Sequence, residues 1–216
     1  NLPDEKVNFL PTQKTEIFNK RKENFSGNLR LSYDDPILFF RGWKTHLFDE
    51  WGRSYLDAYN NVPHVGHSHP RIRKVASEQL KKLNSNTRYL HPNQSDLAES
   101  ILSKLPENFK VCFFVNSGSE ANELAIRLAR EYTKARGMIT TDHGYFGNTT
   151  GAIDLSAYKF NKPGGVGQPD WLELVEIPDD YRGTYKRGDP RCGEKFASQI
   201  GQAVENLKSK NQKLCA

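Results

Sequence analysis

Cysteine is scarce and poorly placed for cross-linking. The 216 residues hold three, Cys112, Cys192 and Cys215. This odd, widely spaced set fits neither a disulfide framework nor a CxxC zinc pattern. Cys112 and Cys215 sit in apolar runs, so buried free thiols are expected. A reducing compartment follows from that, cytoplasmic or, in a eukaryote, mitochondrial. No apolar run approaches about 18 residues, the length that marks a membrane-spanning helix. The polar start, Asn1 to Lys6, does not have the make-up of a signal peptide. It also carries no initiating Met, so a longer gene product is expected. Charge of one sign is lacking too. The 31 basic and 26 acidic side chains give a net charge of +5, and they are interspersed, with no basic block of the kind that forms a nucleic-acid arm. Apolar residues make up only 36%, but 12 Phe, 9 Tyr and 3 Trp can bury much area per residue and so still allow a core.

What is present is patterned. Lys14 to Asn24 is amphipathic and predicts a short helix. Ile37–Phe40, Thr45–Phe48 and Ser54–Asp57, with a turn at Asp49–Gly52, predict a small antiparallel meander. A polar loop, Asn60 to Pro70, leads into a helix carrying Ile72, Val75, Leu80 and Leu83, with Pro70 at its first position. Another helix is expected from Ser95 to Leu105. Val111–Val115 is a continuous apolar run, the signature of a strand buried on both faces. Apolar spacing from Ala121 to Ala135 predicts a long helix ended by Gly137. Met138–Thr141 then predicts a second strand, parallel to the first in a βαβ unit. Residues 160–192, rich in Gly, Pro and Asp, are expected to form a surface excursion with little regular structure. A last helix carries Phe196, Ile200, Ala203, Val204 and Leu207 on one face. Lys213–Ala216 looks like the start of another buried strand. There is no internal repeat and no low-complexity tract.

The chemistry concentrates in two loops. Asn116-Ser117-Gly118-Ser119-Glu120 lies between strand and helix, where free N–H groups and a partial positive charge suit an anion. Gly118 would let that anion approach the backbone, and the Ser117 and Ser119 hydroxyls could each add a hydrogen bond. The same residues also spell a capping box, Ser117 with Glu120. Phosphate binding and capping are both open, and they can coexist. In a parallel sheet the next loop, Asp142 to Thr149, would share the edge on which ligands bind. Tyr145 there could stack on a flat heterocycle, or it could plug the core with Phe146. His64, His67 and His69 lack a carboxylate or thiol at ligand spacing, so turn hydrogen bonding is expected of them and no metal. Gly164–Gly167 lacks the Lys-Ser/Thr of a P-loop.

The stretch Val115-Asn116-Ser117-Gly118-Ser119-Glu120-Ala121-Asn122-Glu123-Leu124-Ala125 resembles the phosphate-loop signature of the class III aminotransferases, which depend on pyridoxal 5′-phosphate (PLP). His143-Gly144-Tyr145-Phe146-Gly147 resembles a second loop of that family. Leu47 to Asp57 and Gly66-His67-Ser68-His69-Pro70 resemble its N-terminal segments. The resemblance runs from about Asp35 to the C-terminus. Asn60–Val62 with His64–His67, Leu83–His91, Ser156–Phe160 and Pro178–Gly183 are similar to the branch that holds ethanolamine-phosphate phospho-lyase, 5-phosphohydroxylysine phospho-lyase and, as a near relative, alanine–glyoxylate aminotransferase type 2.

This resemblance implies an α/β chain of the PLP-dependent transferase fold (fold type I): a mostly parallel sheet flanked by helices, truncated, with a small N-terminal α+β segment. Residues 1–75 would belong to the small domain, and 76–216 to the N-terminal portion of the large PLP-binding domain. Ser117, Gly118 and Ser119 would hold the cofactor phosphate, and Tyr145 would stack on its ring. Asn60 and Asn61 would face the substrate. Arg88 would lie near a homodimer interface, where a permanently charged, bidentate guanidinium suits a substrate carboxylate or phosphate; a surface or interface salt bridge is the alternative. The family's Schiff-base lysine and its pyridine-pairing aspartate would lie beyond Ala216, so the expected catalytic set in this chain is empty and the chain alone is expected to be inactive. The implied activity is amino-group transfer to a keto acid or aldehyde. Phosphate elimination from a phosphorylated amine is the alternative. A non-catalytic phosphate- or nucleotide-binding α/β module would explain the strand–loop–helix unit by itself.

Overall fold

The computed structural model describes residues 12–60 and 62–216. The chain divides into two compact units, Asn1–Leu90 and His91–Ala216.

The first unit opens with α1 (Thr12–Asn24), followed by the meander β1 (Phe39–Trp43), β2 (His46–Asp49) and β3 (Ser54–Leu56). All three strands pair antiparallel in sequence order. The β2–β3 turn is organised by one carboxylate. Asp49 accepts from the backbone N–H of Trp51 (3.0 Å) and Arg53 (2.9 Å), from Arg53 Nε (2.6 Å) and from the Tyr55 hydroxyl (3.0 Å). Gly52 supplies the left-handed turn position, with φ of +78°. Helix α2 (Pro70–Lys82) starts with Pro at its first position, as expected, but buries none of its residues. Its stripe of Ile72, Val75 and Leu80 is 60–67% exposed.

The second unit contains α3 (Pro92–Leu102), α4 (Gly118–Thr133), β4 (Met138–Thr141), the short helices α5 (Thr150–Asp154) and α6 (Ala157–Phe160), β5 (Leu172–Val175) and α7 (Cys192–Ser209). Strands β4 and β5 pair in parallel, Met138 beside Leu172 through Thr141 beside Val175. The other edge of β4 meets the terminal segment: Cys215 N–H donates to Gly137 O (2.6 Å) and Ile139 N–H to Ala216 O (2.9 Å). Ile126, Met138, Leu155, Ala157, Phe160, Trp171 and Leu172 form the main core. Helix α7 packs on β4 and β5 and buries Phe196, Ala203 and Leu207, while Ile200 faces outward at 51% exposure.

Three sequence expectations need correction. Val111–Val115 makes no ladder, and its residues Val111, Phe113, Phe114 and Val115 are exposed. The apolar run shows what the segment can bury, but a strand also needs a hydrogen-bonding neighbour, and no described segment supplies one. The parallel partner of β4 is instead β5, inside the stretch expected to be irregular. There Leu172 is fully buried, and the buried acidic residue Glu173 is held by Asn206 and Lys210. Finally, α4 stops at Thr133, with Lys134 in the left-handed C-cap position. Gly137 serves the sheet: a Cβ there would lie 2.8 Å from Lys213 O and 3.3 Å from Leu207.

Candidate functional site

Helix α4 is the rigid element of the site. Its amphipathic spacing buries Ile126 in the core. Its N-terminus stays at the surface, with the Ser117 half of the capping box as predicted and Glu120 reaching back one residue beyond the N-cap. Ser117 Oγ accepts from Glu120 N–H (3.1 Å), and the Glu120 carboxylate reaches back to Asn116 N–H (2.7 Å). The first backbone bond of the helix runs from Ala121 N–H to Ser117 O (3.0 Å). Among the described residues nothing accepts from the N–H groups of Gly118 or Ser119. The capping box and an anion site therefore use different donors and do not compete. A Cβ on Gly118 would meet nothing within 4 Å, so open space adjoins the Gly118 α-carbon.

The Asp142–Thr149 loop is brought against this helix start. Asn148 N–H donates to Ser119 Oγ (3.0 Å), Asn122 Nδ2 to Phe146 O (2.7 Å) and Thr149 Oγ1 to the Glu123 carboxylate (2.6 Å). Gly147, with φ of +136°, lies so close that a Cβ would sit 2.5–2.7 Å from Ser119 atoms. No other residue fits there. The Ser117 and Ser119 oxygens both serve as acceptors within the protein, so each O–H remains able to donate outward.

Tyr145 is half-exposed on this edge. Its ring packs edge-on against Tyr158, with centroids 6.3 Å apart, and Lys159 Nζ stands 5.4 Å from its centroid. The neighbour Phe146 turns inward to the core. The two aromatics of the loop thus divide the roles that the sequence left open: Phe146 plugs and Tyr145 faces out. At the start of the loop, Asp142 binds Ile177 N–H (3.0 Å) and His143 Nδ1 (2.9 Å). Burial pushes its carboxyl up, but these two bonds outweigh that and leave it below the ordinary aspartate value.

Ser117, Gly118, Ser119 and Tyr145 are therefore gathered in the second unit. Asn60 and Arg88 lie in the first, and Asn61 lies outside the described residues. Asn60 is fixed by Asp57, which accepts from its N–H (2.9 Å) and its side-chain amide (3.0 Å). Asp57 also bonds His67 Nε2 (2.6 Å). The backbone bond from Asn60, followed by the His67 contact, holds the Asp57 carboxyl well below the usual aspartate range. His67 is further paired with Lys44 through its backbone, and His69 stands just before α2. His67 is thus engaged by longer-range bonds, an antiparallel bridge to Lys44 and the Asp57 carboxylate, rather than by the turn bonding expected of it. Arg88 is exposed, and its N–H and Nε both donate to Asn86 Oδ1 (3.0 and 3.3 Å). Sequence reasoning gave no role to Asn122, Glu123, Ser156 or Asp57. A polar residue four positions after a phosphate-loop glycine was the available signal for Asn122.

The class III aminotransferase family model matches residues 33–216. The chain belongs to this family. Among curated relatives, "Ethanolamine-phosphate phospho-lyase homolog 1" of Caenorhabditis elegans is 41% identical over 91% of this chain and 44% of its own length. "Alanine--glyoxylate aminotransferase 2-like" of Drosophila melanogaster is 39% identical over 98% of this chain and 44% of its own length. The chain thus spans less than half the length of these relatives. A solved phospholyase from Arthrobacter, in complex with phosphoethanolamine, superposes with a TM-score of 0.80 at 32% identity, over 92% of this chain and 46% of that one. The fold is that of the fold type I PLP-dependent enzymes, in part, and the family's cofactor is pyridoxal 5′-phosphate.

Proposed function

We propose that this chain supplies the phosphate-binding part of a PLP site in a class III aminotransferase, an enzyme that moves an amino group from an amino donor to a keto acid or aldehyde. The observation that carries the proposal is the pair of unclaimed N–H groups on Gly118 and Ser119, with open space beside the Gly118 α-carbon and Tyr145 on the neighbouring loop. The residues fit a phosphate ester. Two backbone donors, two hydroxyls and the positive end of a 16-residue helix converge without a bulky side chain between them. Tyr145 offers a ring face to a flat heterocycle. When bound, PLP supplies an electron sink for carbanion charge at the substrate carbon. The chain's own part is to anchor the phosphate, set the ring plane and keep Phe146 as the floor beneath. Asn60, Asn61 and Arg88 belong to the proposal as substrate-facing residues, in a homodimer. The lysine and the ring-nitrogen aspartate of the family are assigned to sequence beyond Ala216, so the 216-residue chain alone is expected to turn nothing over. Its three cysteines are free thiols, which suits a cytoplasmic setting.

A second reaction has its own support. A relative named as a phospho-lyase homolog is 41% identical, and a solved phospholyase with phosphoethanolamine is similar in structure. Phosphate elimination from a phosphorylated amine is thus the alternative outcome on the same cofactor. The test is twofold. Apo protein should bind pyridoxine 5′-phosphate and fail to bind pyridoxine. Equal affinity for the two would contradict the phosphate site. A longer protein containing this chain should then release inorganic phosphate from phosphoethanolamine if it is a lyase, or require a keto acid if it is an aminotransferase. Tighter binding of a nucleotide than of pyridoxine 5′-phosphate would favour a non-catalytic nucleotide module.

A further inference from the structure

Besides its ring contacts with Tyr158 and Lys159, Tyr145 is held through the backbone of its neighbours. On one side, Gly144 O accepts from Tyr158 N–H (3.2 Å). On the other, Phe146 N–H donates to Ser156 Oγ (2.9 Å), a fully buried hydroxyl that itself donates to Ala152 O (2.6 Å). One peptide further on, the Phe146 carbonyl is taken by Asn122 Nδ2 at 2.7 Å. A carbonyl accepts and does not donate, so the amide nitrogen is the end that faces it. Asn122 lies one turn after Gly118 and so stands on the same face of α4. Ser119 and Glu123 bind Asn148 and Thr149 on either side of it.

The geometry points to Asn122 as a positioning residue: its amide ties the peptide after Phe146, one peptide on from Tyr145, to the helix whose N-terminus would hold the phosphate, and so helps set the Tyr145 ring at a fixed height above that phosphate. This rests on the phosphate site proposed above. Ser119 and Glu123 close the far end of the same loop at Asn148 and Thr149, and of the three α4 side chains Asn122 binds nearest in sequence to the ring.

The role can be separated from ordinary structural support by comparing two probes on the apo protein. Inorganic phosphate reports only the helix N-terminus. Pyridoxine 5′-phosphate reports the helix plus the ring. Calorimetric affinities would be measured for the wild type, Asn122→Asp, Asn122→Leu, Tyr145→Ala and the Asn122→Asp/Tyr145→Ala double variant. Asn122→Asp keeps the shape and removes the donor, so it serves even if Asn122→Leu fails to fold. The expected result is a loss of about tenfold in pyridoxine 5′-phosphate affinity, the size of one aromatic contact. Inorganic phosphate affinity should change less than about twofold, and the double variant should be no worse than Tyr145→Ala, because the two residues act through one contact. Wild-type preference for pyridoxine 5′-phosphate that survives in Asn122→Asp would overturn the positioning role and leave the phosphate site standing. Independent, additive losses in the double variant would overturn it as well. A wild type that binds both probes equally would overturn both proposals.

Discussion

The two units of this chain are held by different forces. Every buried hydrophobic side chain among the described residues lies in the second unit, from Ile126 to Leu207, whereas among the described residues of the first only Asp49 is buried. The second unit presents its loop on an apolar floor. The first shapes its loops around two carboxylates, Asp49 and Asp57, each gathering backbone N–H groups and a side-chain donor. The contrast has a functional side. An anion site wants unclaimed N–H groups, and a helix anchored by apolar packing can leave them free. A loop folded around a carboxylate has already consumed its donors.

This difference predicts different sensitivities. The largest expected effect is in the core. Leu172→Ala should lower the stability of the second unit by about 2–5 kcal/mol in denaturant titration, and a loss below about 1 kcal/mol would show that apolar packing is not what holds it. Gly147→Ala should follow at about 1–3 kcal/mol, because the backbone is in the left-handed half of φ space and a Cβ would collide with Ser119. It should also weaken phosphate binding. Acid should separate the units. The folded-state pKa of Asp57 lies below the ordinary aspartate value of about 3.9. Its contribution is therefore complete above that value and is lost as pH falls below it. Amide protection of Tyr59 and Asn60 should fall below about pH 4, while protection at Met138, in the β4–β5 ladder, persists. Equal loss at both sites would break the comparison. Ser117→Ala should cost about 1 kcal/mol through its cap. The smallest effect is a gain: Lys134→Gly should add up to about 1 kcal/mol in thermal denaturation by relieving the left-handed C-cap.

The helix start at Ser117 was legible in the sequence because capping and amphipathic spacing are local codes, written within a few residues. So was the neighbouring loop, with Gly147 placed where only glycine fits. Strand β5 was hidden because Glu173 interrupts its apolar run and glycines and prolines surround it. What makes it a strand is pairing with Met138–Thr141, more than thirty positions away. Val111–Val115 shows the reverse case, a strand-like composition without a ladder. Phosphate-site residues could be named from the motif, but not the wiring behind them. That Asn122 reaches the Phe146 carbonyl, 24 positions on, and that Ser156 supports the N–H of the same residue, follows only from the folded chain. The motif also could not say whether capping would use up the donors. The structure shows that Asn116 and Glu120 are bonded while Gly118 and Ser119 are not.

The central claim is that those two unclaimed amides receive a phosphate. Amide chemical shifts of the isotope-labelled apo protein, followed as pyridoxine 5′-phosphate is added, read them directly. The account predicts large, saturable shifts at Gly118 and Ser119 with smaller ones at Tyr145 and Asn148, reproduced at the two helix amides by inorganic phosphate and absent with pyridoxine. Shifts that leave Gly118 and Ser119 unmoved while other amides respond would contradict it.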